Sequence, residues 1–317
     1  MNQPNASPAA PGTPAQGRVV ALRLPLSRPR WMWVFLAANV GVWLLMTLAG
    51  GSEDTVVLVQ FGASFTPFVA AGEYWRLLTA NFIHIGLAHL LLNSYAIYVL
   101  GADVETLYGS PRFAVIYLLS GLAGSIASFA LRADVGLSAG ASTAVFGLLG
   151  TMIAFFVRHR ERFGEWGRQR LGNAVAVVGV NLLFGLTAPR IDMLGHIGGF
   201  AGGLALGWLL CPMYQREYAP EGPRLVDVNS IRRALPGVAL FVFLLIVGVM
   251  LGVARWNAVL DRPVFRFEVE RVTGLDTAVA LPVGGWRVEI GTNGSYRRVS
   301  AERVLADVRL SSGWRER

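Results

Sequence analysis

The feature that most constrains this chain is a series of seven long apolar segments. They lie at residues 31–49, 84–103, 111–131, 142–157, 173–189, 193–211 and 235–254. Of the 317 residues, 54% are hydrophobic and only 15% are charged, a composition typical of proteins that cross a membrane several times. Because lipid offers no partner for backbone polar groups, these segments are predicted to be helices. We therefore expect an all-α polytopic membrane protein.

The fourth segment is too short to cross the bilayer. It begins at Ser142 and runs for 16 residues before Arg158 interrupts it. That length gives about 24 Å of helix against roughly 30 Å of hydrocarbon. The chain is thus predicted to dip into the membrane before this helix starts, which places Ser142 below the membrane surface.

The distribution of arginine orients the helices. All 28 basic residues are arginine, and of the 18 that precede residue 257, 13 lie in the N-terminal tail and in residues 158–172 and 212–233. The region 51–78, predicted to lie on the opposite side of the membrane, contains a single basic residue, Arg76. Since short cytoplasmic loops retain positive charge, we expect a cytoplasmic N-terminus, an exterior or periplasmic C-terminus and a location in the inner cell membrane.

The segments divide the chain into four parts. Residues 1–30, rich in Pro and Ala, are predicted to form a disordered cytoplasmic tail, since they lack the apolar core of a signal peptide. Residues 31–211 form a six-helix core, 212–256 a cytoplasmic loop with a seventh helix, and 257–317 a small exterior appendage.

The appendage is predicted to contain β-structure. Residues 265–270 alternate between apolar and charged side chains, as a strand does. Residues 286–290 and 296–299 are expected to pair across the turn signal Asn293-Gly294.

Charge and cysteine content argue against nucleic-acid binding and against an internal disulfide. The net charge of +8 is taken up by the arginine-rich loops, which can also meet anionic lipid, and no nucleic-acid-binding motif accompanies it. We therefore expect the lipid bilayer as a partner and not nucleic acid. The single cysteine, Cys211, excludes an internal disulfide.

Three of the four histidines, His84, His89 and His196, fall within apolar segments, where polar groups are costly and tend to be functional. His89 and Asn93 are four residues apart and share a helical face, whereas helical phase puts His84 about 140° away. His89 and Asn93 could serve one site or could hydrogen-bond neighbouring helices. No histidine pair has chelating spacing with a carboxylate nearby, so we expect neither a metal nor another cofactor.

The sixth segment carries a stripe of small residues. Gly195, Gly199, Gly203 and Gly207 repeat every four residues, a pattern that lets another helix approach to backbone contact. His196 borders this stripe and could act as the general base of a serine on the approaching helix. The alternative for Ser142 is a helix N-cap or a small packing residue. Asp192, four residues before His196, is predicted to cap the sixth segment.

Taken together, these motifs resemble the rhomboid family of intramembrane serine proteases, of the bacterial kind with a six-helix core plus one. The resemblance covers roughly residues 31–211. The residues that carry it are Tyr74 to Thr79 with Phe82 and His84, His89 to Asn93, Gly101, Glu105, Gly109, Gly140 to Ser142, and His196 to Gly199.

The resemblance implies a role for each of these positions. Ser142 would be the nucleophile and His196 the general base, without a carboxylate. His89, Asn93 and the Ser142 amide would form the oxyanion hole. Phe146 matches the aromatic position on which the family's histidine packs. His84, Gly140 and Gly199 would be supporting residues.

One residue departs from the family pattern. Thr143 stands where the family usually has glycine, directly after the nucleophile. A β-branched residue restricts the backbone there and adds bulk near the oxyanion, so we expect an effect on substrate preference more than on activity.

The expected activity is cleavage of peptide bonds in or next to the transmembrane segments of single-span or polytopic membrane proteins. The alternative is a catalytically silent rhomboid-like protein that binds transmembrane segments. A transporter is disfavoured, because neither an inverted repeat nor a carboxylate inside a span is evident.

Overall fold

The protein was analysed as a computed structural model, which describes residues 26–133, 135–187, 192–220, 222–260, 277–283, 286–291, 296–300 and 308–309. The helices are α1 (Trp31–Leu48), α2 (Thr55–Gln60), α3 (Thr66–Ala70), α4 (Arg76–Thr79), α5 (Gly86–Ala96), α6 (Ala102–Tyr108), α7 (Ser110–Leu131), α8 (Ser142–Arg158), α9 (Arg160–Thr187), α10 (Met193–Leu210) and α11 (Ile231–Leu260). A 3₁₀ turn, Ala80–Phe82, follows α4, and a π-helical turn, Ile97–Gly101, joins α5 to α6.

The strands form three small antiparallel sheets. β1 (Ser64–Phe65) pairs with β2 (Leu137–Ser138), and β3 (Tyr214–Ala219) with β4 (Gly222–Asp227). The third sheet has the order β5 (Thr277–Val283), β6 (Trp286–Gly291), β7 (Tyr296–Ser300) and β8 (Val308–Arg309).

The helices confirm the predicted class, a helical polytopic membrane protein. Within the described residues, five helices are long and apolar enough to cross a membrane: α1, the continuous helix from α5 to α6, α7, α10 and α11. At 17 residues, α8 is shorter, as its sequence predicts. The predicted segment 173–189 lies in the second part of α9, as far as the structure describes it.

Two regions predicted as loops are structured. α9 begins at Arg160 and is broken only by Gly164, whose φ of 40° lies outside the helical region, so most of residues 158–172 is helical. This prediction was wrong because Arg, Glu and Gln are good helix formers that apolar segmentation overlooks. The predicted loop 212–233 contains the hairpin of β3 and β4, which Asp227 fastens to α7 through Arg112 at 2.5 Å.

The N-terminus of α1 is capped by Glu105, a buried residue of the continuous helix from α5 to α6, so the expectation of no carboxylate inside a span was wrong. The fully buried carboxylate of Glu105 accepts backbone N–H groups of Arg30, Trp31 and Met32 at 2.8, 3.0 and 2.8 Å. A carboxylate there satisfies free amides and complements the helix dipole. Glu105 also accepts the Ser110 hydroxyl at 2.5 Å, which ties the start of α1 to the start of α7.

α8 and α10 touch through their backbones. A Cβ added at Gly203 would collide with the backbone of Gly147, and one at Gly199 would collide with the carbonyl of Thr143. The Thr151 hydroxyl donates to the Gly203 carbonyl at 2.9 Å across the same contact. The predicted close approach of a second helix to the glycine stripe is thus confirmed.

α11 is fastened to the end of α7 by its last turns. Trp256 is fully buried and donates its indole N–H to the Phe129 carbonyl at 2.6 Å. Arg255 packs over the Trp256 ring and donates to the Ala130 carbonyl at 3.3 Å. Most of the remaining apolar surface of α11 is exposed in the isolated chain, as expected of a helix that faces lipid.

The predicted pairing in the C-terminal appendage is confirmed. Trp286 pairs with Ser300 and Ile290 with Tyr296, with Asn293-Gly294 between the two strands in the sequence. The predicted strand at 265–270 and residues 1–25 of the predicted tail lie outside the described residues.

Asp192 caps α10, as predicted. It accepts the backbone N–H of Gly195 at 2.9 Å, while its second carboxylate oxygen accepts the Ser138 hydroxyl at 2.5 Å. The cap therefore also ties α10 to β2.

We expect Asp192→Ala to destabilise the protein by about 1 kcal/mol, because the Gly195 N–H loses its partner. Asp192→Asn should leave stability nearly unchanged, because its amide oxygen can cap and its NH₂ can face the Ser138 oxygen. Thermal unfolding of the purified protein in one detergent measures both variants. Equal loss for Ala and Asn would contradict a capping role.

Candidate active site

The hydroxyl of Ser142 faces His196. Ser142 is the first residue of α8, and the preceding residue makes no side-chain cap. Ser142 Oγ lies 2.9 Å from His196 Nε2. The serine hydroxyl is therefore engaged with the imidazole, and the alternative of Ser142 as a helix cap is wrong.

The His196 ring is held by packing. It stacks on Phe146, with ring centroids 4.3 Å apart and an angle of 13° between the planes. Within the described part of the chain, His196 Nδ1 has no hydrogen-bond partner. The carboxylate nearest in sequence, Asp192, bonds Gly195 and Ser138 instead. The pair thus lacks the third, orienting carboxylate of a triad.

The turn before Ser142 is fastened to the segment that follows α4. Gly140 has φ +133°, which strongly favours glycine, and it donates its N–H to the Ala80 carbonyl at 2.9 Å. The Ala141 N–H points at His84 Nε2, 3.4 Å away. These contacts set the direction in which the chain enters α8.

His84 lies closer to the site than its predicted phase allows. The predicted helical phase assumed that the helix includes residue 84. Because α5 begins at Gly86, His84 lies in the short non-helical segment between the 3₁₀ turn and α5. Its ring centroid is 5.2 Å from that of His89, and its side chain is fully buried. The predicted separation of His84 from His89 by helical phase was therefore wrong.

His89 presents a donor toward Ser142. The Ile85 N–H donates to His89 Nδ1 at 3.3 Å, so in the neutral ring the proton is on Nε2. A Cβ built on Gly140 would lie 2.8 Å from this nitrogen and 3.6 Å from Ser142 Oγ. Glycine at position 140 thus keeps open the space between the His89 donor and the serine.

Asn93 is buried on the same helix, one turn further on. Its Nδ2 donates one hydrogen to the His89 carbonyl at 2.9 Å, and the amide carries a second. The hydrogen bonds described for the side chains of His89 and Asn93 stay within residues 85–93. These bonds therefore do not support the alternative that His89 and Asn93 hydrogen-bond neighbouring helices.

Thr143 packs against Asn81. Its side chain is 4% exposed and donates to Asn81 Oδ1 at 2.5 Å. The expected effect of Thr143 on substrate preference stays a prediction. Gly199 lies on the other side of Thr143, where the close contact of α8 and α10 needs a residue without Cβ.

Sequence reasoning missed Ala80 and Asn81. Ala80 acts through its backbone carbonyl, which no residue pattern reveals. Asn81 did leave a signal, since a polar residue among the apolar residues that precede His84 needs a buried partner. No group of three or more His, Cys, Asp or Glu side chains with metal-binding geometry occurs among the residues that the structure describes.

Comparison with known proteins identifies relatives of this chain. Residues 71–213 match the Rhomboid domain. The chain is 42% identical over 177 residues to rhomboid protease GluP of Bacillus subtilis, a match that covers 56% of this chain and 34% of GluP. It is 40% identical over 186 residues to RHOMBOID-like protein 7 of Arabidopsis thaliana, covering 58% of each chain.

A third relative is covered almost completely. Over 187 residues the chain is 30% identical to the putative rhomboid protease YdcA of Bacillus subtilis. This match covers 58% of this chain and 89% of YdcA. By contrast, the matches span only about a third to three-fifths of GluP and the Arabidopsis protein. The matched region contains both Ser142 and His196, and the chain is a multi-pass membrane protein of the rhomboid family.

Proposed function

We propose that this protein is an intramembrane serine endopeptidase that cleaves the transmembrane segments of other membrane proteins. The observation that carries the proposal is the 2.9 Å contact between Ser142 Oγ and His196 Nε2 at the head of the short helix α8. The relatives named as rhomboid proteases support it. No cofactor is part of the proposal.

In the first step, Ser142 Oγ attacks the carbonyl carbon of the scissile bond while His196 Nε2 takes the hydroxyl proton. Stacking on Phe146 keeps the ring plane fixed as the imidazole becomes charged. Nearby, the Asp192 carboxylate at the start of α10 adds favourable long-range charge without contacting the ring.

The carbonyl oxygen becomes an oxyanion that needs hydrogen-bond donors. The Ser142 amide is one of the free N–H groups at the start of α8. His89 Nε2–H borders the space left by Gly140, and Asn93, one turn further along α5, carries a second amide hydrogen. Donors fixed before the reaction stabilise the oxyanion most in a site that excludes water.

Collapse of the tetrahedral intermediate breaks the C–N bond, and the proton on His196 passes to the departing amine. Water then attacks the Ser142 ester, with His196 again taking a proton and returning it to Ser142 Oγ. This second half regenerates the enzyme and releases the new carboxylate.

The substrates we propose are single-span or polytopic membrane proteins that enter from the lipid. A helical segment must unwind before its carbonyl can meet Ser142, so helix-weakening residues near the cleaved bond should favour cleavage. The competing function is a silent protein that binds transmembrane segments without cutting them. Covalent labelling of Ser142 by a fluorophosphonate separates the two, because labelling needs an activated serine.

We also propose an orientation in the inner membrane, with the N-terminus and residues 158–172 and 212–233 in the cytoplasm and the C-terminal sheet outside. Fusions of a periplasm-active and a cytoplasm-active reporter at Arg162 and Arg317 test it. We expect Arg162 to report cytoplasmic and Arg317 periplasmic. If both fusions reported cytoplasmic, the seventh crossing would be wrong.

Ser142→Ala and His196→Ala should each abolish cleavage, and the double variant should be no worse than either single variant. The reason is that nucleophile and base act as one unit. The measurement is turnover of a reporter transmembrane segment by purified protein in lipid vesicles, together with fluorophosphonate labelling.

Asp192→Asn is the matched control for this test. It keeps the cap of α10 and should retain most activity, so a loss in the thousands would make Asp192 an orienting carboxylate. Folded Ser142→Ala protein that cleaved at the wild-type rate would end the serine-protease proposal.

Asn93→Ala should slow cleavage but leave a measurable rate. One oxyanion donor among several is lost, which typically costs about 100- to 1000-fold in kcat. Ser94→Ala, next to it on the same helix, serves as the control and should cost little. Activity of Asn93→Ala equal to that of the wild type would remove Asn93 from the oxyanion hole.

A further inference from the structure

The residue that departs from the family pattern makes a specific buried contact. Thr143 Oγ1 donates to Asn81 Oδ1 at 2.5 Å. The two residues are only 4% and 3% exposed. A threonine in a helix commonly bonds a carbonyl of its own preceding turn. Thr143 instead reaches out of α8 to the segment after α4.

Asn81 is itself held firmly on its other side. Its Nδ2 donates to the carbonyls of Leu77 and Leu78 at 2.9 and 3.2 Å. The same nitrogen lies 3.1 Å from Ser125 Oγ on α7. The acceptor that Thr143 uses is thus fixed to both α4 and α7.

The surrounding glycines leave room for the pair. A Cβ added at Gly124 would lie 2.6 Å from Thr143 Cβ, and one added at Gly121 would lie 2.6 Å from Asn81 Oδ1. Both glycines are on α7. The larger residue at position 143 is therefore accommodated by smaller neighbours on the facing helix, so its side chain is a fitted part of the packing.

We infer that the Thr143–Asn81 pair positions Ser142 for attack, an inference that rests on the proposed function. Ser142 lies at the N-terminal end of α8, where the first backbone N–H groups have no acceptor within the helix. The Gly140 N–H to Ala80 carbonyl bond fixes the chain two residues before Ser142, and the Thr143 hydroxyl fixes it one residue after. Ser142 is thereby held on both sides by residues 80 and 81.

Such a pair acts on the rate of reaction and not on substrate affinity. Thr143 and Asn81 are positioning residues, since their described side-chain hydrogen bonds go to each other, to α4 and to α7. A small displacement of a nucleophile costs up to about 100-fold in rate. Weakening the pair should therefore lower kcat and the rate of Ser142 labelling together, while KM changes little.

Thr143→Val removes the hydroxyl at nearly constant shape and leaves Asn81 Oδ1 buried without its donor. We expect kcat for a reporter transmembrane segment to fall by about tenfold or more, with KM within about twofold of the wild type. Fluorophosphonate labelling should slow by a similar factor.

A second pair of variants covers the case in which Thr143→Val does not fold. Thr143→Ser and Thr143→Ala both remove the methyl group, but only Ser keeps the donor. We expect Ser to retain kcat within about threefold of the wild type and Ala to lose about tenfold or more. Equal kcat for the Ser and Ala variants would overturn the inference.

Ser125→Ala separates positioning from general stability. It breaks the contact of Asn81 with α7 but keeps the Thr143 hydrogen bond. We expect Ser125→Ala to lower the unfolding temperature while kcat stays within about threefold of the wild type. A kcat loss as large as that of Thr143→Val, at equal loss of stability, would also overturn the inference.

The outcomes distinguish this inference from the proposed function. If Ser142→Ala is inactive and Thr143→Val cleaves like the wild type, only the positioning role is lost. If Ser142→Ala itself cleaves like the wild type, the proposed function fails and the positioning inference fails with it.

Discussion

The backbone contact between α8 and α10 is the constraint on which the site depends. Between transmembrane helices no hydrophobic force favours association, so close packing and interhelical hydrogen bonds must provide it. Gly147 and Gly203 let the two backbones meet, and the Thr151 hydroxyl bonds across the contact. With helix separation and register fixed in this way, residues 142 and 196 lie within hydrogen-bond distance although 54 residues separate them in the chain.

The segment before α5 supplies the second constraint. It contributes three groups to the approach to α8: the Ala80 carbonyl, the Asn81 amide and the His84 ring. The pairing of β1 with β2 reinforces the same junction, because it joins the loop after α2 to the loop before Ser142. The Ser142 end of α8 is therefore held in place by three chain segments and not by its own helix alone.

The sequence was informative where a single segment decides the outcome. The length of an apolar run fixes a spanning helix, and the short run after Ser142 fixes α8, because both follow from hydrocarbon thickness. The hairpin of β3 and β4 could not be predicted, since the ion pair between Asp227 and Arg112 joins residues 115 positions apart. His84 was misplaced for a local reason: Gly86, with φ +74°, starts the helix two residues later than the apolar pattern indicates.

The length of α8 and the charge balance of the region from α2 to α4 bear on whether a polar site can lie within a bilayer. The 17 residues of α8 span about 25 Å, so this helix alone is shorter than the hydrocarbon thickness. In the region from α2 to α4, Arg76 is 4% exposed, donates to the Val59 carbonyl at 2.6 Å and pairs with Glu73 at 2.7 Å. Because this arginine is paired, the region can lie at membrane depth without burying an unpaired ion. The proposed function requires a serine hydroxyl and water to meet inside the bilayer, and a short helix next to a charge-balanced segment is suited to that requirement.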